Sequence, residues 1–117
     1  MKTAFALLLA VALPPAAAAA KGPAQLCPHL VRDYARKGEL PAGALALLPA
    51  MAERGGRFNV TDVVGPADRN LPFNRFISAR RSGCTLSVRY EYGGIAHGFA
   101  TALLEWRGAR WVLVRSR

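Results

Sequence analysis

Cysteine and histidine are both scarce in this chain, two of each among 117 residues. Cys27 and Cys84 cannot make a multiply bridged scaffold. With no Cys-x-x-Cys or similarly tight pairing, they do not compose a zinc site with His29 and His97. Acidic residues are few, seven against sixteen basic ones, and Asp62 and Asp68 beside Arg69 fit salt-bridged loop residues better than a catalytic carboxylate pair. Gly-x-Ser-x-Gly, a phosphate-binding glycine loop and His-Glu-x-x-His are all missing, which removes the common hydrolase, nucleotide and zinc-protease templates. There is no internal repeat, no long Gly/Ser linker and no run of five like charges. No metal, no cofactor and no nucleic-acid partner are expected.

Long apolar runs are missing as well, except at the start. In MKTAFALLLAVALPPAAAAA, Lys2 is a short positive opening and Ala4 to Leu13 form an apolar core. Pro14 and Pro15 then break any helix before an alanine tract suited to a small-residue protease. The pattern predicts a secretory signal over residues 1–20, cleaved near Ala20, and a single domain over 21–117. The apolar run falls well short of the roughly 20 residues that span a bilayer, and no later stretch replaces it, so no transmembrane segment is expected after cleavage. Ala24, Gln25 and Leu26 do not offer the small residue that precedes a lipid-carrying cysteine. The arginine-heavy composition suggests a bacterial protein from a GC-rich genome, and a periplasmic or secreted address follows.

Export bears on the cysteines and on the charge. An oxidising compartment favours joining Cys27 to Cys84. Closing a loop of about 58 residues would contribute about 4 kcal/mol on the loop-entropy account. Without Lys2, fifteen basic residues face seven acids, a balance near +8 that attracts polyanions. Outside the cytoplasm these are anionic lipid, lipopolysaccharide or wall polymers, or else an acidic protein. Arg107, Arg110, Arg115 and Arg117 cluster in sequence and are the candidate anion-binding residues.

The segment CPHLVRDYARKGEL has Pro28 for a first turn, Leu30, Val31 and Tyr34 at helical spacing, and Gly38 as a C-cap, predicting a helix over 28–37. LPAGALALLPAMAERGG predicts a second, mostly buried helix over 42–54, started by Pro41, kinked or split at Pro49 and ended by Gly55 and Gly56. Beyond Gly56 the period becomes two. RFNVTDVV is expected as a strand of mixed faces, GPADRNLP as a loop and FNRFISARR as another strand. From Cys84 to Tyr92, Cys84, Leu86, Val88, Tyr90 and Tyr92 share one face, and Thr85, Ser87, Arg89 and Glu91 the other.

A two-residue turn at Gly93-Gly94 would set Tyr90 opposite His97, Val88 opposite Phe99, Leu86 opposite Thr101 and Cys84 opposite Leu103. A second hairpin at Gly108-Ala109 would oppose Trp106 with Trp111 and Leu104 with Leu113. Ala96, Gly98, Ala100 and Ala102 would give one face small side chains on which a helix could lie. The expected architecture is α+β: two N-terminal helices packed on a curled, antiparallel sheet of four or five strands, with the disulfide tying the first helix to the middle of the sheet. The helix-first order, the hairpin VRYEYGGIAHGFATALLEW and the closing WRGARWVLV resemble the nuclear-transport-factor-like cone and the cystatin-like roll. The cone hosts enzymes and plain binding modules alike, so the resemblance assigns no activity. The hairpin tip YEYGGIAHG departs from the Gln-x-Val-x-Gly of cystatin protease inhibitors.

In that register His97 and Tyr90 form a candidate proton-transfer pair for a cavity enzyme, whereas an ordinary strand histidine hydrogen-bonded to a tyrosine is the simpler reading. The leading expectation is a small, basic, disulfide-stapled binding or envelope-associated module. A cavity enzyme and a partner inhibitor or immunity-type protein are the alternatives.

Overall fold

The computed structural model describes Cys27 and residues 30–117. The signal over 1–20, its cleavage near Ala20 and His29 lie outside the described residues. Five strands form one antiparallel sheet in chain order: β1 (Val31–Tyr34), β2 (Asn74–Ser82), β3 (Thr85–Tyr92), β4 (Gly98–Trp106) and β5 (Trp111–Ser116). The only α-helix among the described residues is α1 (Ala42–Leu45), a single turn, joined by two 3-10 turns at Lys37–Glu39 and Pro66–Asp68. The expected pair of N-terminal helices on a sheet is therefore not formed. The helix-first order that carried the likeness to the cone and the roll goes with it.

Both missing helices have physical causes. Val31 to Tyr34, predicted as helix, instead runs along β2, opposite Ser82 to Ala79. An isolated ten-residue helix is marginal in water, whereas this segment is fixed in extended form just after the Cys27–Cys84 bridge, and the Gly83 amide donates to the Leu30 carbonyl at 2.9 Å. The second helix starts after Pro41 as expected but stops at Leu45. Pro49 lacks an amide hydrogen and drives Leu48 out of the helical region, so the chain straightens. Ala52 then pairs in parallel with Arg75, its amide donating to Asn74 at 2.8 Å and its carbonyl accepting from Phe76 at 2.9 Å. Ala52 thus covers the part of the β2 edge that β1 leaves open.

The core lies on one face of the sheet. Phe76, Leu86, Val88 and Leu104 are fully buried there, with Ala79, Ala100, Ala102 and Tyr90 beside them, and Leu40, Ala44, Leu48 and Met51 cover them. Burying each of the larger side chains contributes roughly 1.5–3 kcal/mol. The small alanines of β4 do lie beneath the covering segment, but that segment is one helical turn followed by extended chain.

RFNVTDVV does not become a strand. Only Thr61 bridges, to Gly94, and the segment is held instead by buried Asn59, whose Nδ2 donates to the carbonyls of Asp68 at 2.9 Å and Leu71 at 3.0 Å. The same segment moves the β3–β4 register. A Cβ at Gly93 would overlap the Asn59 carbonyl oxygen and Val60, so this glycine is the seat on which the chain crosses rather than half of a tight turn. The connection becomes residues 93–97, and the ladder pairs Tyr92 with Gly98, Tyr90 with Ala100, Val88 with Ala102 and Leu86 with Leu104. A shift of three residues, an odd number, turns every β4 side chain to the opposite face. Phe99 and Thr101 therefore point away from the core.

Elsewhere the expected pairing is present. Trp106 faces Trp111 and Leu104 faces Leu113, with the indole centroids 5.7 Å apart and tilted by 59°. Cys27 and Cys84 are joined, with Cα atoms 5.1 Å apart. The bridge ties the segment before β1 to the β2–β3 turn, at one end of the sheet rather than its middle.

Candidate anion-binding face

Residues opposed across an antiparallel ladder share a face, so the pairings place side chains in rows on the side away from the core. One row reads Asp33, Arg80, Ser87, Leu103, Arg115; the next reads Ser78, Arg89, Thr101, Arg117. The last pairing is made by backbone bonds in both directions between Thr101 and Arg117. A bulge in β5 makes this possible, because the ladder slips by one residue between Leu103 and Leu104 and returns Arg115 to the outer side. An open trough of about 450 Å³ covers these rows from β1 as far as Thr101, lined by Asp33, Arg54, Ser78, Arg80, Ser87, Arg89 and Thr101, and Arg115 and Arg117 lie beyond it on the β5 side.

Arg54 reaches the trough from the loop after Met51, and the neighbouring Glu53 fixes that loop. The Glu53 carboxylate accepts from the amides of Lys37, Gly38 and Arg54. Burial opposes its ionisation, yet those amide groups together hold its carboxyl below the usual range.

The charges on this face are poorly compensated. Arg80 reaches Asp33 at 3.8 Å with both side chains mostly exposed, a pairing worth little. Among the described residues, Arg54, Arg89, Arg115 and Arg117 have no carboxylate within ion-pair distance. Guanidinium groups beside short hydroxyl side chains suit a phosphate or carboxylate ligand: the guanidinium offers two parallel N–H donors and the hydroxyls add single bonds.

The four arginines singled out by sequence do not form one cluster. Arg107 and Arg110 lie in the β4–β5 turn, where Arg107 pairs with Glu105 at 3.2 Å. Arg115 and Arg117 lie at the far end of β5, roughly 17 Å away at the usual strand rise. On the outer face the arginine nearest to Arg117 along the ladder is Arg89, two strands away across Thr101, and Arg80 and Arg54 continue the basic face on the β1–β2 side. The alternation from Cys84 to Tyr92 already placed Arg89 and Ser87 on one face; the register needed to bring Arg80, Thr101 and Arg117 beside them was not available from spacing.

His97 and Tyr90 are likewise separated. The Tyr90 hydroxyl lies on the core side, 2.8 Å from Ser116 Oγ. His97 Nε2 lies on the outer side, 2.6 Å from Glu91 Oε2, while Arg75 Nη2 donates to Glu91 Oε1 at 2.7 Å. The Glu91 side chain is only 12 % exposed. The His97 hydrogen bond first, and the Arg75 hydrogen bond second, hold its carboxyl below the usual range. Arg75 is itself stacked over Phe58 at 4.5 Å. This cluster fastens the 93–97 loop to β3 and β2, and no proton-transfer pair of His97 with Tyr90 is assembled.

No group of three or more possible metal ligands occurs among the described residues. No helix among them is long and apolar enough to cross a membrane. Comparison with protein-family profiles, with curated proteins and with solved structures returns no significant match.

Proposed function

We propose that the chain is an exported binding module that holds an anionic, phosphate- or carboxylate-bearing component of the cell envelope on the outer face of its sheet. The observation that carries this reading is the set of four arginines, Arg54, Arg89, Arg115 and Arg117, that share one open face without carboxylate partners among the described residues. Keeping like charges on adjacent strands costs stability, and an anionic ligand removes that cost. Export is supported by the signal-like opening of the sequence and by the Cys27–Cys84 bridge, which persists in oxidising compartments.

The test uses soluble polyphosphate as the probe. Replacing Arg89, Arg115 and Arg117 together by Gln is expected to weaken binding about tenfold or more, and raising ionic strength from about 0.01 M to 0.15 M to weaken the wild type steeply. The Arg107→Gln/Arg110→Gln variant removes almost as much charge from the wrong place and is expected to bind within about twofold of wild type. Equal losses in the two variants would mean that net charge, not this face, attracts the anion, and the reading fails.

A further inference from the structure

The end of the sheet that carries the 93–97 loop is apolar as well as exposed. Ile95 is 95 % exposed, Val63 84 % and Phe99 54 %, and Val60 and Phe73 are also exposed. Hydrogen bonds gather them at one end: the Gly94 amide donates to Val60 at 3.0 Å, the Gly93 amide to Phe73 at 2.7 Å, and the Thr61 hydroxyl to Val63 at 3.4 Å. Phe99 lies in the second position of β4, its ring 6.0 Å from that of His97. Five of the ten large apolar side chains that the described residues expose are thus brought to this one end. Single exposed apolar residues are ordinary; a concentration of them at one end of a small domain marks an interaction site.

We propose that this end inserts into an anionic lipid bilayer. The inference rests on the anion-binding reading above and names the bilayer as the source of the anions. Three observations favour a bilayer over a protein partner. Ile95 and Val63 project as knobs from loops, and acyl chains accept knobs without a matching pocket. Two cations without carboxylate partners are placed for lipid phosphates: the Arg89 guanidinium reaches toward the tip, 5.6 Å over the Phe99 ring, and Arg89 and Arg117 both flank Thr101, whose backbone is about 10 Å along β4 from Gly98. That separation matches the 5–10 Å, approximately, by which interfacial apolar groups enter the headgroup and acyl boundary. Of the acids in this region, Glu91 is paired with Arg75 and Asp68 with Arg57, which leaves Asp62 without a cation in ion-pair range among the described residues. The 93–97 loop is also pinned, by the His97–Glu91 bond and the Thr61–Gly94 bridge, so Ile95 is presented on a held support.

The experiment follows the full exported chain with vesicles of phosphatidylglycerol or phosphatidylcholine, and with soluble polyphosphate as the second probe. Ile95→Ser/Phe73→Ser is expected to lose about tenfold or more in affinity for phosphatidylglycerol vesicles, to keep its polyphosphate binding, and to keep its melting temperature because both side chains are exposed. The Arg89/Arg115/Arg117 variant is expected to lose both. In Ile95→Trp, vesicles should shift the added fluorescence to the blue and acyl-chain bromines should quench it. The wild type, whose Trp106 and Trp111 lie at the other end of the sheet, should show neither effect. Vesicle binding unchanged in the serine variant, or equal quenching in the wild type, overturns the tip while leaving the arginine face standing. A wild type that binds polyphosphate but no vesicle, and that forms a dimer dissociated by Ile95→Ser, makes the tip a contact between copies and overturns the bilayer. Failure of the wild type to bind either probe overturns both readings.

Discussion

Glu91 works through two oxygens, one holding Arg75 and the other His97, and both bonds need its negative charge. Because its carboxyl is held below the ordinary value of 4.5, ionised Glu91 favours the folded state. That contribution is complete above the unfolded carboxyl's range and disappears as pH falls below about 4.5, through the lower folded value. Glu91→Gln is therefore expected to lower unfolding free energy by about 1 kcal/mol at neutral pH. The gap should shrink as urea titrations are repeated from about pH 5 down to pH 3. An undiminished gap at the lowest pH would show that the side chain acts by shape and not by charge. At this scale the sequence was partly legible. The two cysteines paired as their number and the oxidising context suggested, and Trp106 met Trp111 because a tight glycine turn sets the register by itself. The contact between Glu91 and His97 was hidden, because it needs β4 turned over, and nothing within six residues of sequence reveals that.

Among the elements, the strands were more legible than the helices. Alternation over Thr85–Tyr92 follows from burial on one side only, and it identified the buried and exposed faces of β3 correctly. The spacing of Leu40, Ala44, Leu48 and Met51 is close to a helical period, yet the chain covers the same surface with one turn and an extended stretch, because Pro49 leaves no helical alternative. In β1 only Tyr34 is buried, so an edge strand with one anchored side chain left no alternation to detect. The β3–β4 register depended on a long-range fact, the passage of residues 58–61 over Gly93. That dependence can be measured. Gly93→Ala is expected to destabilise by about 2–3 kcal/mol, since the added methyl meets backbone rather than a side chain that can move. Gly65→Ala, where a methyl meets nothing within 4 Å, is expected to be neutral within about 0.5 kcal/mol. Equal effects in chemical denaturation would mean that the crossing does not fix the register.

For the molecule as a whole, the disulfide joins the first described residue to the β2–β3 turn over 57 positions, at the end opposite the apolar tip. Replacing both cysteines by serine is expected to cost up to about 4 kcal/mol in unfolding free energy and to leave the sheet pairing intact. Two free thiols in the purified protein, found by mapping peptides without reductant, would show that the bridge is not made. The chain order of the strands has one more consequence, for the order in which the fold assembles. β2 to β5 each meet their neighbour across a few residues, so these hairpins close locally and quickly. β1 must wait: made first, it has no strand to join until β2 arrives some forty residues later. A chain emerging from its N-terminus therefore keeps Cys27 unpaired until β2 and the turn that carries Cys84 have been made, with β3, β4 and β5 still to follow. The bridge needs only β1, β2 and the turn after it, so it can latch that edge of the sheet before the last hairpin is added.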